Sequence, residues 1–93
     1  MKNDNGIRVI HSAHFLKTAR KLPKPICEKM KARDVLFRKN PFDPLLHTHK
    51  LHGPLSDFYA YSVDHNYRII FSFQDKKTAT YNEIGTYRVY GAE

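Results

Sequence analysis

The chain has 93 residues, 41% hydrophobic, 27% charged and 13% aromatic, a composition that excludes a disordered tail and fits one small folded domain over residues 1–93. A domain of this size buries only roughly 60–65% of its unfolded surface, so the core must be thin. No apolar run approaches the ~20 residues of a membrane span, MKNDNGIRV has no signal-peptide stretch, and the single Cys27 excludes an internal disulfide or a thiolate metal cage; a cytoplasmic protein is expected.

The segment GIRVIH, residues 6–11, is β-rich and predicts a first strand. Ser12 is a suitable helix N-cap, and Phe15, Leu16, Ala19 and Leu22 then recur at helical spacing until Pro23. Pro25 fits the first turn of a second helix, where its missing N–H costs nothing. Ile26, Met30 and Phe37 give that helix an apolar stripe, with Cys27 and Leu36 contributing, and Asn40-Pro41 ends it. Joined by almost nothing, the two helices are expected to form an antiparallel hairpin.

The net charge of +7 is concentrated in this hairpin. Between Leu16 and Lys39 there are nine basic residues and two acidic ones, while the rest of the chain balances seven against seven. Such a field favours a polyanion, either nucleic acid or an acidic protein, although a basic helical face also serves plain solubility.

All six tyrosines follow position 58, among short β-type runs. FYAYSV (58–63) and YRIIFSF (67–73) flank the turn former Asp64-His65-Asn66, and TATYNEI (78–84) follows the turn signal QDKK. Along the middle run Tyr67, Ile69, Phe71 and Phe73 share one face, with Arg68, Ile70 and Ser72 on the other. Three such strands predict an antiparallel meander packed on the helices, hence an α+β domain: strand, basic two-helix hairpin, three-stranded meander and short C-terminal tail.

Phosphate loops, nucleophile elbows and carboxylate clusters suited to magnesium are absent from the sequence. Arg, Lys, His and Tyr gather instead around 47–53 and 65–90. These are groups that handle a phosphodiester: a base for a ribose 2′-OH, an acid for the leaving 5′-oxygen and fixed cations for the phosphorane. The histidine-dense HTHKLHG (47–53) raises a metal alternative. His47 and His49 would point the same way if extended, but only Asp43 and Asp57 offer nearby carboxylates.

The stretch from Asn40-Pro41 through His49-Lys50-Leu51-x-Gly53 and Tyr67-Arg68-Ile69-Ile70-Phe71 to Ile84-Gly85-Thr86-x-x-x-Tyr90 resembles the C-terminal half of the RelE/ParE toxin superfamily. The preceding strand and basic helices fit the same pattern. The resemblance implies a type II toxin, most simply a RelE/YafQ-like endoribonuclease that cuts mRNA on the ribosome. It implies no cofactor and no metal. The partners it implies are an acidic cognate antitoxin and ribosome-bound mRNA, with no membrane. Two alternatives stay open: a ParE-like inhibitor of DNA gyrase, and an inactive relative that only binds its antitoxin.

Carried over by position, the catalytic candidates are Arg68 on the middle strand, His49 before Lys-Leu, Tyr87 after Gly-Thr, and Tyr90. RNA-binding candidates are Lys50, Lys17, Arg20, Lys21 and Arg88. The chain departs from histidine-rich members of the family: Ser62, Asn66 and Tyr87 stand where some relatives carry His, Asp and His. In the bland readings Arg68 is a surface arginine on an open sheet face, Lys50 a solvated charge, Tyr87 and Tyr90 sheet aromatics, His65 an exposed turn residue and Cys27 a small buried hydrophobe. His47 and His52 are expected to be local polar residues.

Overall fold

The structure, a computed structural model, describes residues 6–87; Arg88 and Tyr90 lie outside the described residues. Strand β1 (Arg8–His11) leads into helix α1 (Ala13–Ala19), and helix α2 (Lys24–Lys39) follows directly. The Ser12 hydroxyl accepts the Phe15 N–H at 2.9 Å, so Ser12 does cap α1. Pro25 sits in the first turn of α2. Asn40, extended as a residue before proline must be, donates its N–H to Leu36 and closes the last turn.

Beyond α2, a 3₁₀ turn (Pro44–Leu46) leads to β2 (His49–Lys50), and a second (Gly53–Leu55) leads to β3 (Tyr59–Ser62). Strands β4 (Tyr67–Asp75) and β5 (Thr78–Thr86) complete one five-stranded sheet in the order β1-β5-β4-β3-β2. The expected meander is β3-β4-β5, all antiparallel. Two pairings add to it: β1 joins β5 in parallel, and β2, drawn from HTHKLHG, pairs antiparallel with β3. The histidine motif is thus partly an edge strand, two residues long and invisible as a strand in composition.

The β1 ladder ends at the His11–Tyr81 pair. Beyond it α1 covers the edge of β5: the Ile84 N–H donates to the Thr18 hydroxyl at 3.2 Å, and the Ser12 hydroxyl donates to the Asn82 carbonyl at 3.2 Å. Backbone groups that would otherwise form an open edge are thereby paired. At the same point the β4–β5 register shifts, with Ile70 opposite Glu83 and Phe71 opposite Tyr81. Asn82 is the extra residue of a bulge, and it lets both Tyr81 and Ile84 reach the core.

That core lies between the helices and one sheet face. Phe37 of α2 is fully buried, its ring stacked 5.0 Å from Tyr61 and set edge-on to Phe71 at 4.8 Å. Phe15, Ile69, Tyr81 and Ile84 are buried with it, and Ile26, Met30 and Leu36 pack against them. Cys27 is half-buried, not buried as expected. A smaller cluster of Leu51, Ala60 and Ile70 lies on the other face of the sheet, covered by Leu55 and Phe58. The segment between β2 and β3 thus closes part of a face that would otherwise be open, leaving the end nearest the β3–β4 turn.

Candidate functional site

At that end of the second face Arg68 pairs across the sheet with Ser62 on one side and with Gly85 on the other. Tyr87 follows two residues after Gly85, on the same face, and its backbone N–H donates to the Asn66 carbonyl at 3.1 Å. Its ring covers the Arg68 guanidinium, 4.8 Å from the Arg68 Cζ to the ring centroid. The Tyr87 hydroxyl is hydrogen-bonded to the Ser62 hydroxyl at 2.7 Å. Arg68 is only 1% exposed, the one buried charged side chain among the described residues. The reading of Arg68 as a surface arginine on an open face is therefore overturned: alternation places it on the second face, as expected, but Tyr87 lies over it. A guanidinium on an aromatic face in a dry setting is a favourable arrangement.

Tyr87 and Ser62 form one wall of a cleft of about 660 Å³. Lys29, Ala32 and Arg33 of α2, Leu45 and His47, and Val63, Asp64 and His65 line the rest of it. Each part has a local reason. Lys29 and Arg33 are one helical turn apart and share a face of α2. The Arg33 Nη1 donates to the Leu45 carbonyl at 2.6 Å, tying α2 to the first 3₁₀ turn. His47, in the left-handed region at φ 51, ends that turn. Asp64 accepts the N–H groups of Asn66 at 2.8 Å and Tyr67 at 2.9 Å, which shapes the β3–β4 turn, and Lys29 Nζ reaches its other oxygen at 3.4 Å. Burial of the Asp64 carboxyl opposes ionisation, but the two backbone N–H groups and Lys29 outweigh it and hold the pKa below the usual aspartate value.

The residues named from sequence separate in space. Arg68 and Tyr87 come together. His49 shares their face, since it pairs with Ala60, two residues along β3 from Ser62. Its Nδ1 donates to the His47 carbonyl at 3.0 Å, so Nε2 is the basic nitrogen of the neutral ring. His49 does not line the cleft, however; His47, expected to be a bystander, does. Lys50 faces the other way, paired with Tyr59, with its Nζ 5.8 Å from that ring. Lys17, Arg20 and Lys21 are exposed at the α1 end and line none of this cleft. The basic window is therefore divided between an α1 patch and a cleft wall, with Arg38 held at 2.8 Å by Asp34.

Lys29, Arg33 and Ser62 join the site only through the fold. The first two were visible only as members of the basic window at i, i+4 spacing. Ser62 stands out in the sequence only as a departure from histidine, and nothing local indicates that its hydroxyl meets Tyr87. Among the described residues no group of three or more His, Cys, Asp and Glu side chains converges as a metal site, and none of the helices is long and apolar enough to cross a membrane.

No protein-family model matches the chain, and no curated protein sequence matches it significantly. Solved structures do. A crystal structure of YafQ from E. coli superposes with a TM-score of 0.75 at 19% identity, covering 92% of this chain and 99% of that one. A chain of the E. coli DinJ-YafQ toxin-antitoxin complex gives a TM-score of 0.73 at 18% identity, over 94% and 99%. The archaeal RelE-RelB complex from Pyrococcus horikoshii gives 0.69 at 20% identity, over 87% and 94%. At these identities the likeness is one of architecture: over nearly its whole length the chain has the fold seen in the YafQ and RelE structures.

Proposed function

We propose that the protein is the toxin of a type II toxin–antitoxin pair and an endoribonuclease that cuts mRNA on the ribosome without a metal. The observation that carries this reading is Tyr87, its hydroxyl held by Ser62 at 2.7 Å and its ring over the buried Arg68, in the lining of a cleft that Lys29 and Arg33 also line. A phenol placed there can give a proton to the leaving 5′-oxygen, and His49 Nε2, on the same sheet face, is the candidate base for the 2′-OH. Arg68 acts from beneath: a fixed positive charge in a dry site stabilises developing phosphorane charge over a few ångströms without touching it. Structural neighbours described as toxin-antitoxin complexes support an antitoxin as the partner, and the exposed α1 patch of Lys17, Arg20 and Lys21 suits an acidic one as a landing surface. The site of action is then the cytoplasm.

Inducing the protein alone tests this. Growth should stop and ribosome-protected mRNA should be cut within codons, and Arg68→Ala or Tyr87→Phe should relieve both. Intact transcripts at full expression would sink the nuclease reading. One observation favours a second reading: the site has hydroxyls at Ser62 and Tyr87 where histidine-based members carry imidazoles. A ParE-like gyrase inhibitor needs no proton-transfer groups, and a supercoiling assay with purified protein separates the two.

A further inference from the structure

Of the residues that line the cleft, Tyr87 and Ser62 belong to the Arg68 site, and the rest are left without a role. We propose that the cleft is a nucleotide subsite, in which Lys29 and Arg33 hold the phosphate next to the scissile one and the rings of His47, His65 and Tyr87 give its base stacking surfaces. This deepens the nuclease reading and rests on it for the word "scissile"; the binding claim stands on the cleft alone.

Four features support it. The volume, about 660 Å³, lies within the range of small-ligand sites and admits one nucleotide. Two cations face one carboxylate, and Asp64 is already engaged by the N–H groups of Asn66 and Tyr67. A phosphate can therefore draw Lys29 from its 3.4 Å contact without stripping Asp64 of its partners. Lys29 is 56% exposed and has the freedom to move. Finally, Leu45, Val63 and Ala32 add apolar surface among the rings. This mixture of cations, rings and apolar contact suits a nucleotide, whereas an acidic peptide would call on the cations alone.

The test is binding of a fluorescein-labelled, fully 2′-O-methylated oligoribonucleotide, which cannot be cut, to the full chain over a range of salt. Lys29→Gln and Arg33→Gln together should weaken binding about tenfold and flatten the log–log salt slope by roughly 0.7 per lost phosphate contact. Lys31→Gln, exposed on the same helix and outside the cleft lining, should bind within about twofold of wild type. Arg33 also anchors the Leu45 carbonyl, so circular dichroism checks the fold, and Lys29→Gln alone keeps the test decisive if Arg33→Gln is unstable. Affinity and slope unchanged in the folded variants would overturn the subsite. An oligoglutamate of equal charge that bound as tightly, with the same dependence on Lys29 and Arg33, would overturn the nucleotide assignment. The two readings fail separately. Wild-type protein that binds the RNA and cuts no message overturns the nuclease alone. Wild-type protein that cuts, while the double variant binds unchanged, overturns the subsite alone.

Discussion

The Arg68 guanidinium lies 4.8 Å beneath the Tyr87 ring, on a face of the sheet where it is 1% exposed. Ring and hydroxyl then have separable jobs. Tyr87→Phe keeps the cover over Arg68 and removes only the hydroxyl bonded to Ser62. RNA cleavage should fall by roughly 10²-fold or more, with the melting temperature changed by only a few degrees. Tyr87→Ala uncovers the guanidinium as well and should lose activity and stability together. Primer extension on ribosome-bound mRNA and thermal melts of the same samples read the two effects.

A second relationship runs through the core. The Tyr81 hydroxyl donates to Asp34 Oδ1 at 2.7 Å and meets the Tyr61 hydroxyl at 2.8 Å, linking α2 to the sheet. Tyr81→Phe removes the middle of this chain and leaves the buried Tyr61 hydroxyl unmatched. The expected loss is about 1–3 kcal/mol in urea unfolding. Tyr61→Phe, at the end of the chain, should cost less, and the double variant should fall short of the sum of the singles.

Burial, above all, pushes the Tyr61 and Tyr81 phenols well above the ordinary tyrosine range. Because the folded values are raised, their contribution to stability is intact below about pH 10 and declines as pH rises above it. In a spectrophotometric titration at 295 nm the signal of these two tyrosines should appear only with alkaline unfolding. Ionisation of Tyr61 and Tyr81 near pH 10 in the still-folded protein would contradict the buried pair.

Asp64 gives the acid limb. Its folded pKa is lowered, so its stabilising effect is full above the unfolded value near pH 4 and is lost as pH falls through the folded one. Asp64→Ala should cost about 1 kcal/mol at neutral pH through the lost turn bonds. It should also flatten the fall in stability below about pH 4 that the wild type shows in pH-dependent denaturation.

His49 and Lys50 are adjacent in sequence but lie on opposite faces of β2, so their variants should behave differently. Lys50→Ala removes a contact with Tyr59 worth no more than about 1 kcal/mol at an exposed position. It should leave RNA cleavage within about twofold of wild type. A large loss of cleavage on Lys50→Ala would show that the edge strand turns over when RNA binds.

The sequence by itself determined what depends on nearest neighbours. Ser12 capping, Pro25 in a first turn, the stop at Asn40-Pro41 and the alternation of Ile69 and Phe71 against Arg68 and Ile70 all follow from local backbone chemistry and period. They sufficed for the α+β class and the three-stranded meander, whereas Arg68 and Tyr87 were candidates only through the family resemblance. Tertiary structure decided what depends on residues far apart in the chain. The two-residue β2 forms only because β3 is there to pair with it. The bulge at Asn82 forms where α1 replaces β1 along the edge of β5. Arg68 is buried because Tyr87, nineteen positions later, folds over it. HTHKLHG divides for the same reason: pairing with β3 turns His49 toward the second face and Lys50 away from it, and the left-handed turn at His47 sets that residue in the lining of a cleft that α2 also lines. No local periodicity encodes such long-range contacts; they are set by which surfaces the packed core leaves side by side.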